Sequence, residues 1–217
     1  MARWGMVINL QKCVGCYACV LACKQEHFLP PGIFWGRVVV GETGHHAAIS
    51  KVAYPVLCNH CEDAACVKAC PTGATVQRED GIVTVDSDKC AGCRYCVLAC
   101  PYQARTYYAD DKREYFPGQG LTPLEIIGRE LYPHQEGSVL KCNFCIERID
   151  SGIKKGLVPG VDREATPACV IACPAKARYF GDLNDPNSEI TLLMKEKKAS
   201  QFHPEFGTDP SVYYILR

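Results

Sequence analysis

Lys89-Cys90-Ala91-Gly92-Cys93-Arg94-Tyr95-Cys96-Val97-Leu98-Ala99-Cys100-Pro101 sets three cysteines at every third position, a fourth slightly further on, and then a proline. A tight loop with this spacing turns three sulfurs toward one point. Gly92, having no Cβ, suits a left-handed position inside it. The fourth cysteine is carried off by a short helical turn that the proline ends or redirects. The stretch has a copy upstream: Met6 to Cys23 aligns without a gap on Val83 to Cys100, with Gly15 in the place of Gly92. Two further groups share a second pattern. Cys58-Asn59-His60-Cys61, Ala65-Cys66-Val67 and Ala69-Cys70-Pro71 match Cys142-Asn143-Phe144-Cys145, Ala168-Cys169-Val170 and Ala172-Cys173-Pro174. The order along the chain is therefore A-B-A′-B′, an internal repeat.

These groups take in all 16 cysteines of the 217 residues. The spacing is that of the bacterial ferredoxin run, in which three close thiolates hold one 4Fe-4S cube and the fourth reaches a different cube. Structural zinc is the competing reading, but zinc knuckles come as pairs facing pairs, whereas two groups here are triplets with a trailing cysteine. A disulfide framework is allowed by the even count, yet such frameworks belong to short secreted chains.

A ferredoxin unit needs two motifs that exchange their fourth cysteines. Groups two and three are joined by a short hairpin pattern, Ala74-Thr75-Val76 and Ile82-Val83-Thr84-Val85 around Glu79-Asp80-Gly81, and form a compact pair. Groups one and four then pair across them. The expected fold is α+β, with one ferredoxin-like module nested in another. Residues 1–50 begin the outer module and include an insertion; 51–112 form the inner module; 113–138 are a second insertion; 139–185 complete the outer module; 186–217 form a helix and tail. The expected ligand sets are Cys13, Cys16, Cys19 and Cys173; Cys142, Cys145, Cys169 and Cys23; Cys58, Cys61, Cys66 and Cys100; and Cys90, Cys93, Cys96 and Cys70. Pairing one with two and three with four is also compatible with spacing alone.

The 24 basic and 24 acidic residues cancel, which argues against a nucleic-acid or anionic-membrane partner, and 47% hydrophobic content is ordinary for a folded chain. No run approaches the roughly 18 apolar residues of a membrane-spanning helix. The N-terminal residues do not read as an export signal, so the expectation is a periplasmic location reached with a partner, or else a cytoplasmic one.

Lys12, Lys24, Lys89, Arg94, Arg105, Lys141, Lys176 and Arg178 flank the cysteines and are candidates for tuning cluster potentials, with solvated surface charge as the plainer reading for more than half of them. His60 reads as a packing or supporting residue, since its group has four cysteines without it. Tyr17, Tyr95, Tyr102, Phe144, Tyr179 and Phe180 read as packing around the clusters. The insertions, Gln25 to Ser50 and Asp110 to Ser138, read as core-poor docking loops, the second with a short helix over Pro123 to Gly128. His45 and His46 read as surface residues. Asn187 to Met194 predicts a helix running into Lys195, Lys197 and Lys198, and Val212 to Leu216 a strand or an arm.

The four groups, together with the opening Met6 to Cys16, Cys70-Pro71-Thr72-Gly73-Ala74, Gly181-Asp182-Leu183-Asn184-Asp185-Pro186 and Pro204 to Pro210, resemble the iron–sulfur subunit of the dimethyl sulfoxide (DMSO) reductase family of molybdenum or tungsten enzymes. The resemblance is to the subunits of polysulfide, thiosulfate, tetrathionate and arsenate respiratory reductases, and it covers nearly the whole chain. It implies four 4Fe-4S clusters, since all sixteen positions are cysteine, and the nested pairing. It also implies a non-catalytic role, relaying electrons between a large bis-pterin catalytic subunit and a quinone-linked membrane anchor or a soluble carrier. A free-standing polyferredoxin is the alternative. No nucleotide-binding glycine loop or nucleophile–base set suggests an enzyme in its own right.

Overall fold

The computed structural model describes residues 1–109 and 114–216. Asp110, the expected start of the second insertion, and the 112/113 boundary lie outside them. The first strand, β1 (Trp4–Asn9), is buried along its whole length, as expected of a central strand covered on both faces. Alternation divides its side chains. Trp4, Met6 and Ile8 enter the main core with Phe180, Val212 and Tyr214, while Val7 meets Ile190 and Ile215 on the other side.

From there the chain enters α1 (Ala18–Glu26), then a hairpin of β2 (Gly36–Thr43) and β3 (Ser50–Leu57). The inner cysteine groups bring the short helix α2 (Ala65–Lys68), the hairpin β4 (Thr75–Gln77) and β5 (Val83–Val85), and the short helix α3 (Tyr95–Leu98). Next come β6 (Thr106–Tyr107), α4 (Pro123–Leu131), β7 (Val139–Leu140), α5 (Ile146–Lys154) and α6 (Ala168–Ile171). The chain closes with β8 (Arg178–Asp182), α7 (Glu189–Lys197), β9 (Ser200–Gln201) and β10 (Val212–Ile215). β1 pairs antiparallel with β8 and parallel with β10, which carries β9 on its far edge, so the two ends of the chain are joined in one sheet. α7, capped by Ser188, which accepts from the Thr191 N–H, covers that sheet through Ile190. β4 and β5 form the expected hairpin. β6 pairs with β7, joining the stretch before the second insertion to the stretch after it.

The first insertion is not core-poor. Leu29, Ile33 and Trp35 are buried in the main core, and β2 and β3 pair from Gly36 opposite Leu57 to Thr43 opposite Ser50. The hairpin thus runs across residue 50, the expected module boundary. Short apolar pieces between Pro30-Pro31-Gly32 and His45-His46 do not show their pairing locally, because only the partner strand makes a β-rich segment a hairpin. The second insertion does leave Leu124, Ile127 and Leu131 exposed.

The two insertions pack on each other. Gly128 of α4 lies so close to Phe28 that an added Cβ would fall 2.7 Å from that ring. Tyr115 donates its hydroxyl to the Leu29 carbonyl at 2.9 Å, and His134 Nε2 lies 2.7 Å from the His27 carbonyl oxygen. α4 begins with a reciprocal cap: the Thr122 hydroxyl accepts from the Glu125 N–H, the Glu125 carboxylate accepts from the Thr122 N–H, and Pro123 follows the cap. Replacing Thr122 with Ala removes an interaction of about 1 kcal/mol. Amide exchange across α4 in the holoprotein should then rise roughly fivefold, with the visible spectrum unchanged. Equal exchange in the two proteins would mean that α4 is held by packing and not by its cap.

Candidate metal centres

The repeat seen in the cysteines recurs in the backbone that carries them. Gly15 and Tyr17 take φ of 68° and 61°, and their counterparts Gly92 and Arg94 both take 64°. His60 and Phe144, equivalent in the second pattern, are also left-handed. So are Gly73, Gln103 and Lys176, each three residues after a Cys-Pro cysteine, and each donates its N–H back to that cysteine's carbonyl. Non-glycine residues in this region are strained, and their repetition at matched positions marks loops shaped for a purpose. The curled backbone also aims donors at sulfur. The Thr75 N–H lies 3.4 Å from Cys70 Sγ and the Ala177 N–H 3.3 Å from Cys173 Sγ.

None of the sixteen cysteines is joined in a disulfide. Cys13, Cys16, Cys19 and Cys173 line one cavity, at the mouth of α1. Cys23 stands among Cys142, Cys145 and Cys169, helped by the packing of α1 on α6. Burial, and then the charges of those three neighbours, pushes its thiol well above the usual range. Burial likewise drives Cys61 up to about 12, reinforced by Cys58, Cys66 and Cys100. Cys142 is also held near 12, by burial and by Cys169 and Cys58. Cys90, Cys93 and Cys96 lie in the loop entering α3, and α2, which leads into Cys70, packs against α3. Cys70 is lowered to about 7: burial works against ionisation there, but hydrogen bonds from Thr75 and Thr72 outweigh it.

Thiols pushed this high by burial and mutual repulsion do not ionise unaided at neutral pH, and a multi-iron centre supplies the positive charge that lets them. The donor sets therefore fit iron–sulfur clusters. Among the described residues no group of three His, Cys, Asp or Glu side chains is placed to hold a single ion.

Three cations are buried with the sulfurs. Arg105 is 5% exposed, donates from Nη2 to Cys66 Sγ at 2.9 Å, and donates from Nη1 to Thr75 Oγ1 at 3.3 Å. Arg178 is 6% exposed and lies 3.6 Å from Cys169 Sγ and 3.4 Å from Met6 Sδ. Lys141, buried to a similar degree, donates to the carbonyls of Val83 and Cys142. Of the other flanking cations, Lys12, Lys89, Arg94 and Lys176 are exposed. Lys24 is half-buried, lowered to about 8 by desolvation, and bonds the carbonyls of Leu29, Pro30 and Ile33, so it braces the first insertion.

His60 is buried as a packing residue. Its Nδ1 accepts from the Val83 N–H at 3.0 Å, and its ring lies 3.8 Å from that of Phe144, its counterpart in the repeat. Phe144 also meets Phe180 edge-on. Tyr17 and Tyr95 depart from the packing expectation, being 46% and 58% exposed, because the left-handed turns at Tyr17 and Arg94 place them on the outer side of their loops. His27 escaped sequence reasoning. Its Nε2 lies 3.3 Å from Cys145 Sγ, beneath Trp35 and Tyr132. Burial holds its pKa near 4, so the ring is neutral and has one N–H to offer. No motif marks it; only the fold brings it to a cysteine from the other end of the chain.

A profile of the 4Fe-4S dicluster domain matches residues 49–117, and one of a 4Fe-4S binding domain matches residues 4–25. The chain is 38% identical to the iron–sulfur subunit of arsenate respiratory reductase from Shewanella sp. strain ANA-3, over 98% of this chain and 96% of that one. It is 40% identical to a selenate reductase subunit of Mesobacillus selenatarsenatis, over 98% and 72% respectively. It is 36% identical to a tetrathionate reductase subunit of Salmonella typhimurium, over 98% and 72%. With its thiol-lined sets and its likeness to these subunits over nearly its full length, the chain belongs to the electron-transferring iron–sulfur subunits of the DMSO reductase family.

Proposed function

We propose that the chain holds four 4Fe-4S clusters, in two nested ferredoxin-like modules, and relays electrons between a bis-pterin molybdenum or tungsten catalytic subunit and a quinone-linked anchor or soluble carrier. The ligand sets are Cys13, Cys16, Cys19 and Cys173; Cys23, Cys142, Cys145 and Cys169; Cys58, Cys61, Cys66 and Cys100; and Cys70, Cys90, Cys93 and Cys96. The observation that carries this reading is the position of Cys23 among three cysteines of the last group, far along the chain, and not beside Cys58 or Cys61. The span of the dicluster profile, which takes in groups two and three and neither of the others, supports the inner module as a unit.

Each cluster supplies a one-electron couple when bound. The protein's part is to hold the clusters in a row, keep water from the middle ones and leave the ends accessible. Cys169 lies near Cys19, and Cys142 near Cys58, linking the first set to the second and the second to the third. Arg105 faces Cys66, Cys58 and Cys96, linking the third to the fourth. Cys16 and Cys93, which occupy equivalent repeat positions in the two terminal sets, are the exposed cysteines of the sixteen. That supports entry at one terminal set and exit at the other. Among the described residues no helix is long and apolar enough to cross a membrane.

Iron and acid-labile sulfide should each approach about sixteen per chain. About eight would match a single dicluster domain, and zinc in place of iron would reject the reading. Cys70→Ser and Cys90→Ser should perturb the same EPR signal in the reduced protein, because the fourth cysteine serves the neighbouring loop. A Cys70→Ser spectrum matching that of Cys58→Ser would overturn the exchange.

A further inference from the structure

Arg105 and Arg178 stand alike in the sequence: each lies five residues after a Cys-Pro cysteine, Cys100 and Cys173. The same position after Cys70 holds Thr75, whose hydroxyl accepts from Arg105. Lys141 has no mate. It directly precedes Cys142, and the matching position before Cys58 is the buried Leu57. The two arginines therefore fall one in each proposed module, and Lys141 interacts with a sulfur of both, Cys142 and Cys58. Arg178 reaches Cys169, Cys19 and Cys142; Lys141 reaches Cys58, Cys142 and Cys66; Arg105 reaches Cys66, Cys58 and Cys96. No two of them serve the same junction.

We infer that Arg178, Lys141 and Arg105 each set the potentials of the two clusters they stand between, one buried cation for each of the three internal electron transfers. The inference rests on the proposed ligand sets. Reduction adds one negative charge to a cluster. A cation a few ångströms away in a poorly polarisable interior favours the reduced form of both neighbours and weakens their repulsion when both are reduced. The ion pair of exposed Lys89 with Asp86 and the ring contact of exposed Arg94 with Tyr107 lie in water, where such effects are screened. These two residues serve as controls. Arg105, Lys141 and Arg178 are positioning residues: they accept no electron, and they act through the sulfurs they face.

The test is an EPR-monitored redox titration of the purified holo-complex, after iron and sulfide have been assayed in every variant. Arg178→Gln should lower two of the four potentials, Arg105→Gln the other two, and Lys141→Met one from each pair. Lys89→Gln should leave all four unchanged. Arg178→Lys and Arg105→Lys, which keep the charge, should stay near wild type, and they decide the matter if a neutral variant loses iron. Unmoved potentials in iron-replete neutral variants would overturn the inference. So would a charge-retaining variant that shifts its pair as far as the neutral one, or a shift in clusters that are not neighbours. A wild-type iron content far below that of four clusters would instead overturn the ligand sets, which separates the two failures.

Discussion

Four thiolates brought to one centre repel one another, and taking them out of water raises the cost again. Most of the architecture answers that constraint. Burial and neighbouring sulfurs push Cys23, Cys61, Cys142 and Cys145 far from ready ionisation, so these sets are stable only with positive charge beside them. The metal supplies the greater part. The protein adds what the backbone and a few side chains can offer: amide donors at Cys70 and Cys173, the His27 ring at Cys145, and three buried cations. Left-handed turns at matched positions bring those donors into place, at a conformational cost the surrounding sheet and insertions absorb.

The duplication explains the economy of the design and also its departures. Equivalent residues of the repeat meet in the core, as His60 and Phe144 do, and the exposed Cys16 and Cys93 are equivalent too. The repeat is not exact. Lys141 stands against Leu57, and the two B patterns differ in length because α5 and the segment after it separate Cys145 from Cys169.

Much of this was legible in the sequence, wherever a few neighbouring residues specify the outcome. The cysteine loops, the β4–β5 hairpin, the Thr122-capped helix and the Ser188-capped helix all declare themselves over short spans. What stayed hidden depends on distant partners. The parallel pairing of β1 with β10 joins the two ends of the chain, and nothing in Met6-Val7-Ile8 names Val212-Tyr213-Tyr214 as its neighbour. The first insertion looks core-poor because its core residues, Leu29, Ile33 and Trp35, are scattered among prolines and glycines ahead of the β2–β3 hairpin. His27, and the sorting of eight flanking cations into buried and exposed, could not be read from spacing. Arg105 and Arg178 follow their cysteines much as Lys176 does, and only tertiary burial tells them apart.

The nested arrangement of clusters is the central claim, and anomalous diffraction at the iron edge from crystals of the holo-complex tests it most directly. The expected result is four iron centres in a row, the middle two held through Cys142 and Cys58 and the second also bonded by Cys23. Iron shared by Cys23 with Cys58, Cys61 and Cys66, giving two modules in series along the chain, would contradict it.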